Sequence, residues 1–273
     1  MQFGCSLNSK TFMPEFTGSS DNYDPYEGLV LGHDMMRRIG YDYIEASVGV
    51  VNDLSEQELA DLSRRAKDGS FALRYCNCFV PGRIPLCTAP KQEIRDFVEA
   101  TMYRLDLLGV RSVVFGSGGA RRRPEDMEKA QAMEKIAEFL TCCNSVGEKY
   151  GIKTVIEPLN QRETNILNSV AESAELVRAL NLPYVRLLAD LFHMSMEQED
   201  PQVLVDNCDL IAHIHVSEAP GRVYPGKLAG EHFMRCVDKL HEAHFDRDVS
   251  VECTFTDMES EAAAALKFLK KVF

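Results

Sequence analysis

The sequence contains no tryptophan, no CxxC pair, no extended apolar run and fewer basic than acidic residues. Each absence excludes something. Thirty Lys+Arg against 42 Asp+Glu give a formal net charge of −12. That argues against a nucleic acid partner or an anionic membrane surface, because both call for a basic footprint. No apolar stretch approaches the roughly 18 residues of a membrane span. The opening residues, MQFGCSLNSK, lack the basic flank and apolar core of a secretory signal, so a soluble, cytoplasmic protein is expected. Nine cysteines form an odd set without metal-site spacing. They fit a reducing compartment, where Cys serves as a small buried apolar residue. The first apolar run leads into GCSLNSK, without the glycine fingerprint of a dinucleotide-binding turn.

What is present is a regular alternation over 273 residues. Short β-branched or aromatic runs predict strands at 1–6, 43–48, 72–79, 112–115, 154–157, 186–190, 211–216 and 249–254. Amphipathic stretches predict helices near 25–38, 54–68, 91–108, 125–149, 169–180, 200–206, 230–243 and 258–271. Start signals precede several of them, such as Asp53 or Ser55 before Glu56-Gln57-Glu58, and Asn181-Leu182-Pro183 is a stop. Eight βα units without a linker predict an α/β fold, a single (β/α)8 TIM barrel spanning 1–273 as one catalytic domain.

A barrel of this kind carries its chemistry where the strands end. The fifth predicted strand ends at Glu157 and the sixth at Asp190; the seventh carries His213 and His215, and the eighth Glu252. Four consecutive strands thus each bring an ionisable side chain to the rim. A glutamate closing an apolar strand is costly to bury unless it is paired or binds a metal. Three converging carboxylates repel one another, and a divalent cation removes that repulsion while a histidine completes an O3N ligand set. His215 lies nearer the rim than His213 and is the expected ligand.

Glu157-Pro-Leu-Asn-x-x-Glu163, Asp190-x-x-His193, His213-Ile-His215 and Glu252 together resemble the xylose-isomerase-like TIM-barrel superfamily. Within it the pattern is most similar to ketose 3-epimerases and hydroxypyruvate isomerase-like enzymes. The resemblance implies that Glu157, Asp190, His215 and Glu252 bind one divalent ion (Mn2+, Mg2+ or Co2+), with Glu157 and Glu252 also transferring protons. It implies substrate contacts from Glu163, His193 and Arg222, and a homo-oligomer, dimer or tetramer. The expected activity is that of a sugar epimerase or isomerase moving a proton next to a carbonyl through an enediolate, on a ketose or ketose phosphate. An inosose-type dehydratase would use the same metal site to expel a hydroxyl. An apurinic endonuclease would need further ligands at other strand ends and a basic groove, and a silent sugar-binding barrel would have lost a ligand.

Ketose epimerases of this kind usually place a tryptophan near the loop after strand four; here it reads Phe115-Gly-Ser117-Gly-Gly-Ala-Arg121-Arg122-Arg123. Ser117 and Arg121 either help cradle an anionic group of the substrate, or the arginines pair with surface carboxylates. Glu45, at the end of strand two, either supports the site or a substrate hydroxyl, or forms a salt bridge. The aromatics of the 21–26 segment are candidates for a lid over the barrel mouth.

Overall fold

The apolar runs pair side by side in chain order and close on themselves. In the computed structural model, which describes residues 1–7 and 24–273, the strands are β1 (Phe3–Leu7), β2 (Tyr43–Ser47), β3 (Leu73–Asn77), β4 (Ser112–Phe115), β5 (Lys153–Ile156), β6 (Val185–Asp190), β7 (Ile211–Val216) and β8 (Val249–Val251). All pairings are parallel, and β8 returns to β1 through Phe3↔Val249, giving the closed barrel expected. The main apolar core lies between this barrel and its helices, with Leu59, Val98, Ile136 and Leu269 from the helices meeting Cys5, Ile44, Cys76 and Ile156 from the strands. Inside the barrel, Val114, Val155 and Leu188 form a separate apolar layer.

The helices are α1 (Pro25–Ile39), α2 (Val48–Asp53), α3 (Glu56–Lys67), α4 (Lys91–Leu107), α5 (Gly118–Arg121), α6 (Lys129–Tyr150), α7 (Val170–Leu180), α8 (Leu191–Met196), α9 (Gln202–Asp206), α10 (Glu231–Glu242) and α11 (Met258–Val272). Capping residues set their ends as the sequence indicates. Ser55 and Glu58 form a reciprocal capping box at α3, and Asn181 closes α7 in the left-handed conformation at φ 47°. Helices α2, α5 and α8 were not predicted. They are four to six residues long, too short to show a helical period. Each begins within three residues of a strand's end and so builds the rim.

Strands five and eight also end earlier than expected. Their last ladder bonds are Glu157 N–H to the Phe115 carbonyl and Glu252 N–H to the Val216 carbonyl, 3.2 Å each. Both glutamates therefore sit one residue beyond the strand, with the backbone still held and the side chain at the mouth. Of the proposed lid segment, residues 21–23 lie outside the described residues. Asp24 instead caps α1 by accepting from Glu27 N–H, and the Tyr26 hydroxyl donates to Asp61 at 2.7 Å.

Candidate active site

Strand parity and the rim loops bring the four expected ligands together. One donor atom from each of Glu157, Asp190, His215 and Glu252 lies within 4.8 Å of the other three. His215 is the centre of the group. Its Nδ1 is 2.9 Å from Glu252 Oε2 and 3.2 Å from Glu157 Oε1. Glycine at position 116 makes room for this arrangement, since a Cβ there would come within 2.3 Å of Glu157 Oε2.

The far side of the His215 ring is equally constrained. Nε2 lies 3.0 and 3.2 Å from the two oxygens of Glu45, which is fully buried. Glu45 Oε2 also meets His213 Nε2 at 3.3 Å. His213 Nδ1 lies 3.0 Å from the Asp248 carbonyl, so the ring is held between this oxygen and Glu45. Tyr75 stacks on the His213 ring at 3.8 Å and 8°. Burial works to raise the Glu45 carboxyl, but the His215 charge and the two histidine hydrogen bonds outweigh it and hold the group down at about 2. Burial likewise works against a charged His215, yet Glu45 and Glu252 keep its protonated form favoured well above the usual imidazole range.

Above this layer Asp190 divides its two oxygens. Oδ1 accepts from Phe192 N–H at 2.8 Å and starts α8, while Oδ2 accepts from Arg222 at 2.8 Å. Asp190 is therefore both a helix cap and a member of the cluster. Burial is the main cause that pushes its carboxyl up to about 7, with the neighbouring Glu157 and Glu252 adding to it and Arg222 opposing. Arg222 also reaches Glu252 Oε2 at 2.5 Å and lies over the Phe192 ring at 5.1 Å. Burial would raise Glu252 too, but His215 and Arg222 hold it well below the ordinary carboxylate range.

The expected substrate contacts gather on one side. Asn160 Nδ2 bonds Glu163 Oε1 at 2.9 Å and His193 Nδ1 at 2.8 Å. Nδ1 of His193 therefore accepts and Nε2 carries the hydrogen, which is buried, has no hydrogen-bond partner and lies 3.6 Å from Asp190 Oδ2. Burial, assisted by Arg222, lowers His193 to about 3, so the ring is a neutral donor.

Three residues that hold the site were not singled out from sequence. Asn77 ends β3 and donates to Glu252 Oε1 at 3.0 Å and to Ser6 at 2.9 Å. Asn160 orders Glu163 and His193 as above. Glu218, almost fully buried, accepts from Gly226 N–H at 2.5 Å and Gly230 N–H at 2.8 Å, fastening the loop that carries Arg222. Asn77 was within reach of sequence reasoning, because it shares inward parity with Tyr75. The other two required knowing which loops meet.

The loop after β4 takes neither of the two forms considered, an anion cradle or arginines paired with surface carboxylates. Arg121 is wholly buried and donates to the carbonyls of Phe115 and Glu157 at 2.9 Å and of Leu167 at 3.3 Å. Ser117 Oγ accepts from Val80 N–H at 2.9 Å, joining this loop to the one after β3. Arg122 donates to the Glu163 carbonyl at 2.9 Å and Arg123 to the Met127 carbonyl at 2.6 Å. These guanidiniums are engaged with main-chain oxygens, because loop carbonyls beyond the sheet need donors and the arginines are the nearest.

The donor set suits a divalent ion. Three carboxylates and an imidazole are the hard and borderline donors that Mn2+, Mg2+ and Co2+ accept. The Arg222 guanidinium supplies positive charge between Asp190 and Glu252, and the Glu45 contact fixes Nδ1 of His215 toward the carboxylates. Replacing Glu45 by glutamine is expected to weaken metal affinity by about 10- to 100-fold. Titration against a competing chelator measures it, and unchanged affinity would leave Glu45 a bystander.

The family model for the xylose isomerase-like TIM barrel matches residues 34–272. The chain belongs to this family. The D-psicose 3-epimerase of Agrobacterium fabrum (strain C58) is 25% identical over 205 residues, 71% of this chain and 68% of that protein. A probable ketose 3-epimerase of Synechocystis sp. is 33% identical over 127 residues, 45% of this chain and 42% of that protein. The crystal structure of D-psicose 3-epimerase with D-tagatose from Clostridium cellulolyticum H10 shares the fold at a TM-score of 0.82 and 17% identity, covering 100% of this chain and 99% of that one. No helix among the described residues is long and apolar enough to cross a membrane.

Proposed function

We propose that this enzyme is a divalent-metal-dependent sugar epimerase or isomerase that moves a proton next to a carbonyl, with a ketose or ketose phosphate as substrate. The observation that carries the reading is the convergence of Glu157, Asp190, His215 and Glu252 within 4.8 Å at the barrel mouth. Its epimerase-named relatives support the same reading.

A divalent ion bound there would act as a Lewis acid on the negative charge that develops at the sugar oxygens. The residues do the rest. Glu157 and Glu252, from strands on either side of His215, take a proton from one face of the carbon and return one to the other face. Such a pair inverts a stereocentre; return to the adjacent carbon would instead interconvert aldose and ketose. His193, a neutral donor with a free Nε2–H, and Glu163 hold substrate hydroxyls. Arg222 adds positive charge where the oxyanion forms.

The second histidine–carboxylate group, Glu45, His213 and His215, is fully buried and shares His215 with the first. That favours one ion per chain, as an epimerase requires, over the several of a nuclease site.

Proton NMR in D2O tests the reading. The Mn2+-loaded protein is supplied with ketoses, ketose phosphates and inososes in turn. Metal-dependent deuterium incorporation next to the carbonyl, with an epimer or isomer as product, is expected. Loss of water from an inosose would reassign the enzyme as a dehydratase, and product formed without deuterium would remove the proton-transfer mechanism.

Metal binding carries a pH signature. Asp190 is held at about 7 in the metal-free protein, and its protonated form competes with the ion. Below pH 7 binding must displace this proton, so affinity is expected to fall by about an extra tenfold per pH unit as the pH drops. Above 7 that contribution vanishes. Calorimetric titration across this range measures it, and a flat profile would mean that Asp190 carries no proton at neutral pH in the metal-free protein.

A further inference from the structure

The strands that bear the carboxylates at the mouth carry cations at the opposite end. Side chains two apart on a strand share a face. The inward file of β5 therefore reads Lys153, Val155, Glu157, and that of β6 reads Arg186, Leu188, Asp190. The middle layer, Val114, Val155 and Leu188, is fully buried and apolar. It closes the barrel between the two ends, with the stacked Tyr75–His213 pair beside it.

Below that layer, at the N-terminal ends of the strands, lies a cavity of about 580 Å³ lined by Arg111, Lys153, Arg186 and Arg247. Two carboxylates also line it, and both are engaged. Asp248 accepts from Arg74 at 2.7 Å and from the Tyr75 hydroxyl at 3.0 Å. Asp209 pairs with Arg178 at 3.1 Å. Arg186 and Arg247 donate to backbone carbonyls of Val185 and Cys208, at 3.0 and 2.9 Å, which orients them without neutralising them. Among the described residues, none of the four lining cations has a carboxylate within 4.0 Å. In a chain of net charge −12, four unneutralised cations around one cavity are a selective arrangement for negative charge.

We propose that this barrel floor binds a small phosphate-bearing anion at a site separate from the catalytic mouth. Four residues of strand separate Lys153 from Glu157, about 13 Å at ~3.3 Å per residue. The floor ligand and the sugar are therefore held at opposite ends of the same strands. Guanidinium groups from Arg111, Arg186 and Arg247 suit the planar oxygen pairs of a phosphate, and Lys153 adds a point charge.

Inorganic phosphate is the probe, titrated into the full-length, Mg2+-loaded protein and followed by 31P NMR at low and moderate salt. Saturable binding that weakens with salt is expected. Lys153→Glu, at an exposed position that should leave folding intact, is expected to lower affinity by tenfold or more, with Lys153→Arg restoring it. Arg111→Glu should act in the same direction. Arg222→Ala, which alters the mouth, should leave floor binding in place. Loss of binding in Arg222→Ala with retention in Lys153→Glu would put the phosphate in the mouth and overturn the proposal. No saturable binding would overturn it as well. So would floor variants that bind phosphate normally but lose metal affinity, since the cations would then serve only to balance the carboxylates above.

Discussion

Glu157→Gln and Glu252→Gln are each expected to fold and to lose turnover by about a thousandfold or more, the upper range for removing a positioned acid–base group. Folding should survive because glutamine keeps the shape and the surrounding bonds can be shared. With glutamine at 252, Arg222 retains Asp190 at 2.8 Å. With glutamine at 157, His215 retains Glu252 at 2.9 Å. Each variant also loses a negative charge from the metal-binding group, so the comparison belongs at saturating Mn2+, with bound metal measured. Isotope exchange separates the two roles. If one carboxylate serves each face, Glu157→Gln still exchanges deuterium into one epimer and Glu252→Gln into the other, while neither interconverts them. Exchange surviving with the same epimer in both variants would mean a single base. Undiminished turnover in either would remove that residue from the chemistry.

How much of this was legible in the sequence follows from the range of each signal. The barrel rests on local periods: eight apolar runs separated by amphipathic helices, each readable within about twenty residues. The four converging side chains rest on the rule that barrel strands present chemistry at their ends, so position along a strand sufficed for Glu157, Asp190, His215 and Glu252. Of the support around them only Glu45 was placed, at the end of strand two, and its partner lay beyond such reasoning. Glu45 and His215 stand 170 residues apart and meet only because β2 and β7 face each other across the barrel. Glu218 reads as an ordinary loop acid until the loop folds back and its main-chain N–H groups meet the carboxylate. Of the floor cations, Lys153 and Arg186 share parity with Glu157 and Asp190, but the lack of partners depends on where Asp209 and Asp248 spend their charge.

Arg121 is where a local signal pointed elsewhere, and it carries the largest expected effect on stability. Three arginines after a glycine turn suggest an anion cradle or surface ion pairs, yet Arg121 turns inward to carbonyls 6, 36 and 46 residues away. Burial lowers its pKa to about 10, which still leaves it charged at neutral pH. Its two 2.9 Å bonds are charge-assisted and each worth about 1.5–3 kcal/mol. Part of that is offset by regaining the guanidinium's desolvation cost on replacement. The Phe115 and Leu167 carbonyls keep backbone donors, from Glu157 and Leu159 N–H at 3.2 Å, whereas the Glu157 carbonyl takes its bond from Arg121. Arg121→Met is therefore expected to cost about 3 kcal/mol, and Arg121→Lys nearly as much because one ammonium cannot reproduce the fork. Since Arg121 holds the main chain of Glu157, metal affinity should fall with stability. Arg122→Met, on an exposed arginine bonded to the Glu163 carbonyl, should change stability by no more than about 0.5 kcal/mol. Denaturant unfolding of the metal-free variants measures the difference. An Arg121→Met protein as stable as the parent, but unable to bind a ketose phosphate, would return this side chain to the substrate.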